Sequence, residues 1–193
     1  MLLTSFEGED FPHRLTWSIA EEQAKLATER EQGWSGPALV AMVFAFHTVE
    51  AYFNFVGERL APDVWKDERT FFSTEPYRGW GGKLRKVLEL VDLPLVPDSR
   101  PQKTIFELKQ LRDLIAHGKP EKPSGVLHHP EGADPPYPEF TLRSMITPKE
   151  KMAVAMQDVD QFANQIHALA LPMVNDPFFG DDALRGALSH SLR

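Results

Sequence analysis

Three residues past the midpoint of the chain have side chains able to bind a phosphoryl group and move its protons: Arg112, Asp113 and His117. Histidine exchanges protons near neutral pH. Arginine offers a planar fork of donors that matches a phosphate. Asp113 and His117 stand at i and i+4, so on a helix they share a face and can pair. Arg112 and His117 are five positions apart, which is about 140° around a helix. A straight helix in one subunit does not aim both at one phosphate. A long arginine arm, an unwound last turn or a second copy of the helix would close the gap. A plainer reading fits the same residues, with Arg112 and Asp113 as surface charges and His117 as a capping residue.

The element that must carry them is a helix over 105–117. Ile105, Leu108, Leu111 and Ile115 recur every three or four positions and make one apolar stripe, widened by Leu114. Thr104 is placed to cap it, with Glu107 completing a capping box. Gly118 is the expected left-handed stop, and Pro120 cannot continue a helix. His117 then lies in the last turn, where exposed carbonyls favour a cation.

A second helix, from Ala38 to about Leu60, is apolar on two sides. Leu39, Met42, Val43, Phe46, Phe53, Val56 and Leu60 form one stripe, and Phe44, Ala51 and Phe55 the other. Such a helix is central or forms an interface. Within it His47, Glu50 and Asn54 stand at i, i+3 and i+7, a polar ridge able to face Arg112 and His117. A buried Glu50 needs a partner, and Arg112 suits it. Two ligands, His47 and Glu50, do not make a strong metal site. A metal-dependent hydrolase that adds His117 is one rival reading, and a ridge that only satisfies hydrogen bonds at a groove edge is another.

The remaining elements follow in order. Residues 1–13 read as an extended lead-in. A helix over 17–32, capped by Thr16, has a thin apolar side and is expected on the surface. Ser35 is the expected cap of the central helix. Residues 61–82 read as a loop pinned by Trp65, Phe71, Phe72, Tyr77 and Trp80, or as a base-stacking surface. A short helix over 83–91 carries Lys83, Arg85 and Lys86 on one face. After the Arg/His helix, a Pro-rich excursion spans 119–147, with Val126–His128 and Glu139–Arg143 as a candidate hairpin. Thr147-Pro148-Lys149-Glu150 starts a last helix that Pro172 ends. The expected architecture is all-α, a bundle of about five helices in a single domain over 1–172. A weakly docked C-terminal tail over 173–193 follows.

The chain has 193 residues, a formal charge of −7 and 42% apolar residues, a globular composition large enough for one core. It has no cysteine, which excludes disulfides and thiolate zinc sites. The first ten residues lack the basic region and long apolar run of a signal peptide. No 18-residue apolar run is free of polar interruption, so no membrane span and a cytoplasmic location are expected. The acidic balance argues against a broad nucleic-acid surface, though not against a small phosphate site. The glycines at 79, 81 and 82 lack the context of a phosphate-binding loop.

The segment Leu-Arg-Asp-Leu-Ile-Ala-His-Gly-Lys, with Arg112, four residues and His117, resembles the signature of the HEPN superfamily, in which a polar residue, here Asp113, follows the arginine. Phe-His-Thr-Val-Glu-Ala-Tyr-Phe-Asn is similar to that family's preceding core helix, with Glu50 and Asn54 in its acidic and Asn places. The resemblance covers roughly residues 17–170. It implies an all-helical, commonly dimeric domain of toxin–antitoxin, defence or RNA-processing systems. The implied partners are a second copy, single-stranded RNA and an antitoxin-like protein. The implied activity is RNA cleavage without metal or cofactor, through Arg112, Asp113 and His117 supported by Glu50, Asn54 and His47. The alternative is a non-catalytic binding module for a protein or nucleotide, in which Glu50, Arg112 and Asp113 form a structural ionic network.

Overall fold

The computed structural model describes residues 7–122, 124–126, 128, 130, 132 and 140–192. In chain order these form β1 (Glu7–Asp10), α1 (Pro12–Glu29), α2 (Ser35–Leu60), α3 (Pro62–Lys66), α4 (Glu68–Phe71), α5 (Gly79–Leu90), α6 (Gln102–His117), α7 (Thr141–Ile146), α8 (Glu150–Ala170) and β2 (Ser189–Leu192). The fold is all-α. Five helices are long, α1, α2, α5, α6 and α8, and the other three span six residues or fewer. The strand pair is an addition: β1 and β2 join the two ends of the chain in antiparallel register, Gly8 opposite Ser191.

Helix α2 is the axle. Ala38, Ala41, Ala45, Phe46, Val49, Tyr52, Phe53 and Val56 are all buried along it. Alanines at 20 and 27 let α1 approach closely, and Trp17 fills the space beside them. So α1 is less superficial than its thin apolar side predicts: small residues bury little area each but allow near contact. Helix α8 closes another side through Phe162, whose ring meets Phe53 edge-on at 6.3 Å. By length and composition α2 could cross a bilayer, which the unbroken-run criterion does not register; more than half of its most apolar window is buried inside the bundle. That is the packing of a core helix.

Several local expectations are corrected. Helix α1 starts at Pro12, whose fixed φ suits a first turn, so Thr16 lies inside it and its hydroxyl donates back to the Pro12 carbonyl at 2.9 Å. Ser35 and Thr104 are likewise inside their helices and cap nothing. Thr104 is buried, and its hydroxyl donates to Asp158 of α8, which also accepts two bonds from Arg100 at 2.7 and 2.8 Å. Gly118 has φ −56°, outside the left-handed region. Glycine is needed there for space, because a Cβ would stand 2.4 Å from the Leu114 carbonyl oxygen.

Residues 61–82 are more ordered than a loop, with α3, α4 and the first turn of α5. Their aromatic residues point inward: Trp65 and Phe72 are buried, and Phe71, Tyr77 and Trp80 pack against the core. They are anchors. The expected hairpin does not form at its second arm, since Thr141–Arg143 open α7; Leu127 and Glu139 lie outside the described residues. An α-helical arm cannot supply ladder bonds to a strand.

The C-terminal segment completes the core. Phe179, Ala183 and Leu184 are buried, and the Phe179 ring stacks on His167 at 4.2 Å and on Phe55 at 5.4 Å. Two arginines hold it down. Arg14 donates to the carbonyls of Ala187, Phe178 and Phe179 at 2.9, 3.1 and 3.2 Å. Arg59 bridges Glu9 and Asp176 at 2.8 and 2.7 Å.

Candidate functional site

Helix α6 buries Ile105, Leu108 and Leu111 against the bundle. The next residue, Arg112, is turned toward α2. Its Nη2 donates to Glu50 Oε1 at 2.8 Å and its Nη1 to Asp113 Oδ1 at 2.7 Å. The guanidinium carbon lies 5.2 Å from the Phe46 ring centroid, within cation–π range. The second oxygen of Glu50 stands 3.2 Å from His47 Nδ1, and the second oxygen of Asp113 accepts from Lys109 Nζ. A continuous chain therefore runs His47–Glu50–Arg112–Asp113–Lys109 across the α2–α6 groove.

Two cations face two carboxylates in this chain, with His47 at one end. The side chains of Arg112 and Glu50 are 26% and 29% exposed, and that of His47 is 43% exposed. The array is thus half in water, and a ligand oxygen could reach it. The Asp113 carboxyl is held below the usual carboxylate range by the hydrogen bond from Lys109; burial opposes this, and the charges of Lys109, Arg112 and His117 add to it. Arg112 Nε is buried without a hydrogen-bond partner among the described residues. Such a donor raises the energy of the present arrangement and would favour any acceptor able to reach it.

His117 closes α6 and is exposed, with no hydrogen bond among the described residues. The expected Asp113–His117 pair does not form; the two Asp113 oxygens meet Arg112 and Lys109 instead. Arg112 leans inward and His117 outward, as their angular separation requires. Ile115, expected in the buried stripe, is 42% exposed. Asn54 leaves the predicted ridge as well. Its Oδ1 accepts from Lys83 Nζ at 2.9 Å and Trp65 Nε1 at 3.3 Å, and Lys83 also pairs with Glu68 at 2.6 Å. Asn54 ties α2 to α3 and α5, away from Arg112. Lys109 joins the array without standing among the sequence candidates, although its i,i+4 spacing to Asp113 is the signal that finds it.

Among the described residues, no three His, Asp or Glu side chains converge as a metal set. A cavity of about 510 Å³ opens between α2, α6, α7 and α8 over Met42, Leu108, Leu111 and Met145. None of the five network residues lines it, so this cavity is separate from their chemistry. Comparison with family models, with curated proteins and with solved structures yields no match.

Proposed function

We propose that this chain is a metal-independent RNA endonuclease that works as a homodimer, as its resemblance to the HEPN superfamily implies. The observation that carries the reading is the end of α6. There a half-buried Arg112, fixed by Glu50 and Asp113, stands close in sequence to an exposed His117. A fixed guanidinium stabilises charge that develops on a phosphoryl group, and an imidazole moves protons to and from oxygen. In the reaction the RNA 2′-oxygen bonds to phosphorus and the bond to the 5′-oxygen breaks. A cyclic phosphate and a 5′-hydroxyl remain. DNA lacks the attacking hydroxyl and is left intact.

Two copies of α6 across a two-fold axis would bring the outward His117 of one subunit toward the inward Arg112 of the other. Exposed Val40 on α2 and Ile115 on α6 supply apolar surface for that contact. The test is a pair of matched oligonucleotides, one RNA and one DNA, incubated in EDTA: RNA cleavage with a cyclic-phosphate end supports the reading, and DNA cleavage opposes it. One observation favours the second reading, a non-catalytic binding module. Both terminal nitrogens of Arg112 already meet carboxylates in one chain, as a structural ionic network requires.

A further inference from the structure

The histidine at the other end of the network is a feature to which the Arg112/His117 reading gives support but no proton-transfer step. His47 sits on the outward side of α2, edge-on to the rings of Phe44 and Phe46 at 6.3 and 6.2 Å. Its Nδ1 is 3.2 Å from Glu50 Oε2. An ionised carboxylate only accepts, so this contact places the proton on Nδ1 and the lone pair on Nε2. Nε2 makes no hydrogen bond among the described residues, and the side chain is 43% exposed. Glu50 also holds Arg112 at 2.8 Å, so one carboxylate orients both an imidazole base and a guanidinium on the same groove.

We propose that His47 is the general base of this site, with Glu50 positioning it and Nε2 accepting the proton of the 2′-hydroxyl. The inference rests on the ribonuclease reading and changes it in one respect. A single His117 cannot be base and acid at once, and the Arg112/His117 pair alone offers no second proton carrier. With His47 present, each Arg112 has a base fixed in its own chain. The proton of the 2′-hydroxyl passes to His47 Nε2 as the oxygen–phosphorus bond forms. The His117 that the two-fold arrangement brings from the second subunit gives a proton to the departing 5′-oxygen. Arg112 stabilises the charge on the phosphoryl oxygens between them. Electrons and protons balance without an added reagent. The charged groups around His47 are Glu50 on its own helix and Arg112 on α6, with Asp113 and Lys109 behind Arg112.

The test has two arms. In the first, the ring nitrogens of His47 are followed by NMR in the parent and in Glu50→Ala. The parent should show the Nδ1–H tautomer at pH 8, and Glu50→Ala should lose that preference. An Nε2–H tautomer in the parent overturns the proposal. In the second, single-turnover cleavage of an RNA oligonucleotide is measured against pH. His47→Ala should lose on the order of 10²–10⁴-fold in rate, with substrate affinity unchanged, and should lose the acidic limb of the profile. Glu50→Ala should keep that limb but displace it, as a positioning residue does. Normal cleavage by His47→Ala overturns this proposal and leaves the ribonuclease reading standing. No cleavage by the parent overturns both.

Discussion

Replacing His13 with Phe should make the fold less sensitive to acid. His13 lies in α1 and is fully buried among Phe55, Tyr52 and Phe11, with ring centroids at 4.4, 5.7 and 6.1 Å. Neither ring nitrogen has a hydrogen-bond partner among the described residues. Burial, then the cations of Arg14 and Arg59 and the nearby His167, push its pKa down from 6.5 to about 3. The unfolded chain therefore binds a proton at a pH where the folded chain does not. Stability from this site is complete above the unfolded pKa and drains away as pH falls from about 6.5 toward 3. Between pH 7 and pH 5 the linkage amounts to about 2 kcal/mol, and the whole interval to about 5 kcal/mol, at 1.36 kcal/mol per unit. Urea unfolding followed by circular dichroism at pH 7 and pH 5 measures it. The parent should lose about 2 kcal/mol more than His13→Phe over that interval. His167, whose pKa burial also lowers, is common to both proteins and cancels in the comparison. An equal loss in the two proteins would refute the reasoning, because it would mean that His13 is solvated or paired.

Other outcomes follow from particular contacts. Phe179→Ala removes the ring stacked on His167 and Phe55 and should cost about 3–5 kcal/mol in denaturant unfolding, which a merely appended tail would not. Gly57→Ala would set a Cβ 2.1 Å from the Trp65 ring, and thermal melting should show a loss of about 1–3 kcal/mol. Sedimentation should give twice the chain mass of 21.9 kDa at micromolar concentration, and a concentration-independent single-chain mass would count against the shared site.

Periodicity made the five long helices legible, because each buries a stripe that recurs at helical spacing. The Glu50–Arg112 pair was legible for a different reason: a carboxylate on an apolar helix has few stable fates, and a nearby arginine is one. What failed was the aim of side chains that have several acceptable partners. Thr16, Ser35 and Thr104 all have the residue type and place of caps, yet Thr104 bonds Asp158 on α8, and no local pattern announces that. Asn54 shares a ridge with Glu50, but Lys83 and Trp65 drew it to another junction. Phe179 and Leu184 carry no helical period, so their burial depends on a groove between α1, α2 and α8 that only the folded chain presents. The β1–β2 pair joins segments from opposite ends of the chain, and four-residue strands give no reliable signal alone.

The central claim is that Arg112 and His117 cut RNA. A labelled pool of single-stranded RNA in EDTA should be cleaved by the parent, leaving cyclic-phosphate and 5′-hydroxyl ends. Lys103→Ala, an exposed change on α6, should match it; Lys109→Ala is no neutral control, since Lys109 holds Asp113. Arg112→Ala and His117→Ala, each first shown to be folded and dimeric, should fall by about 10²–10⁴-fold. Equal activity in all four proteins, 5′-phosphate products, or an inactive parent across the pool would contradict the account.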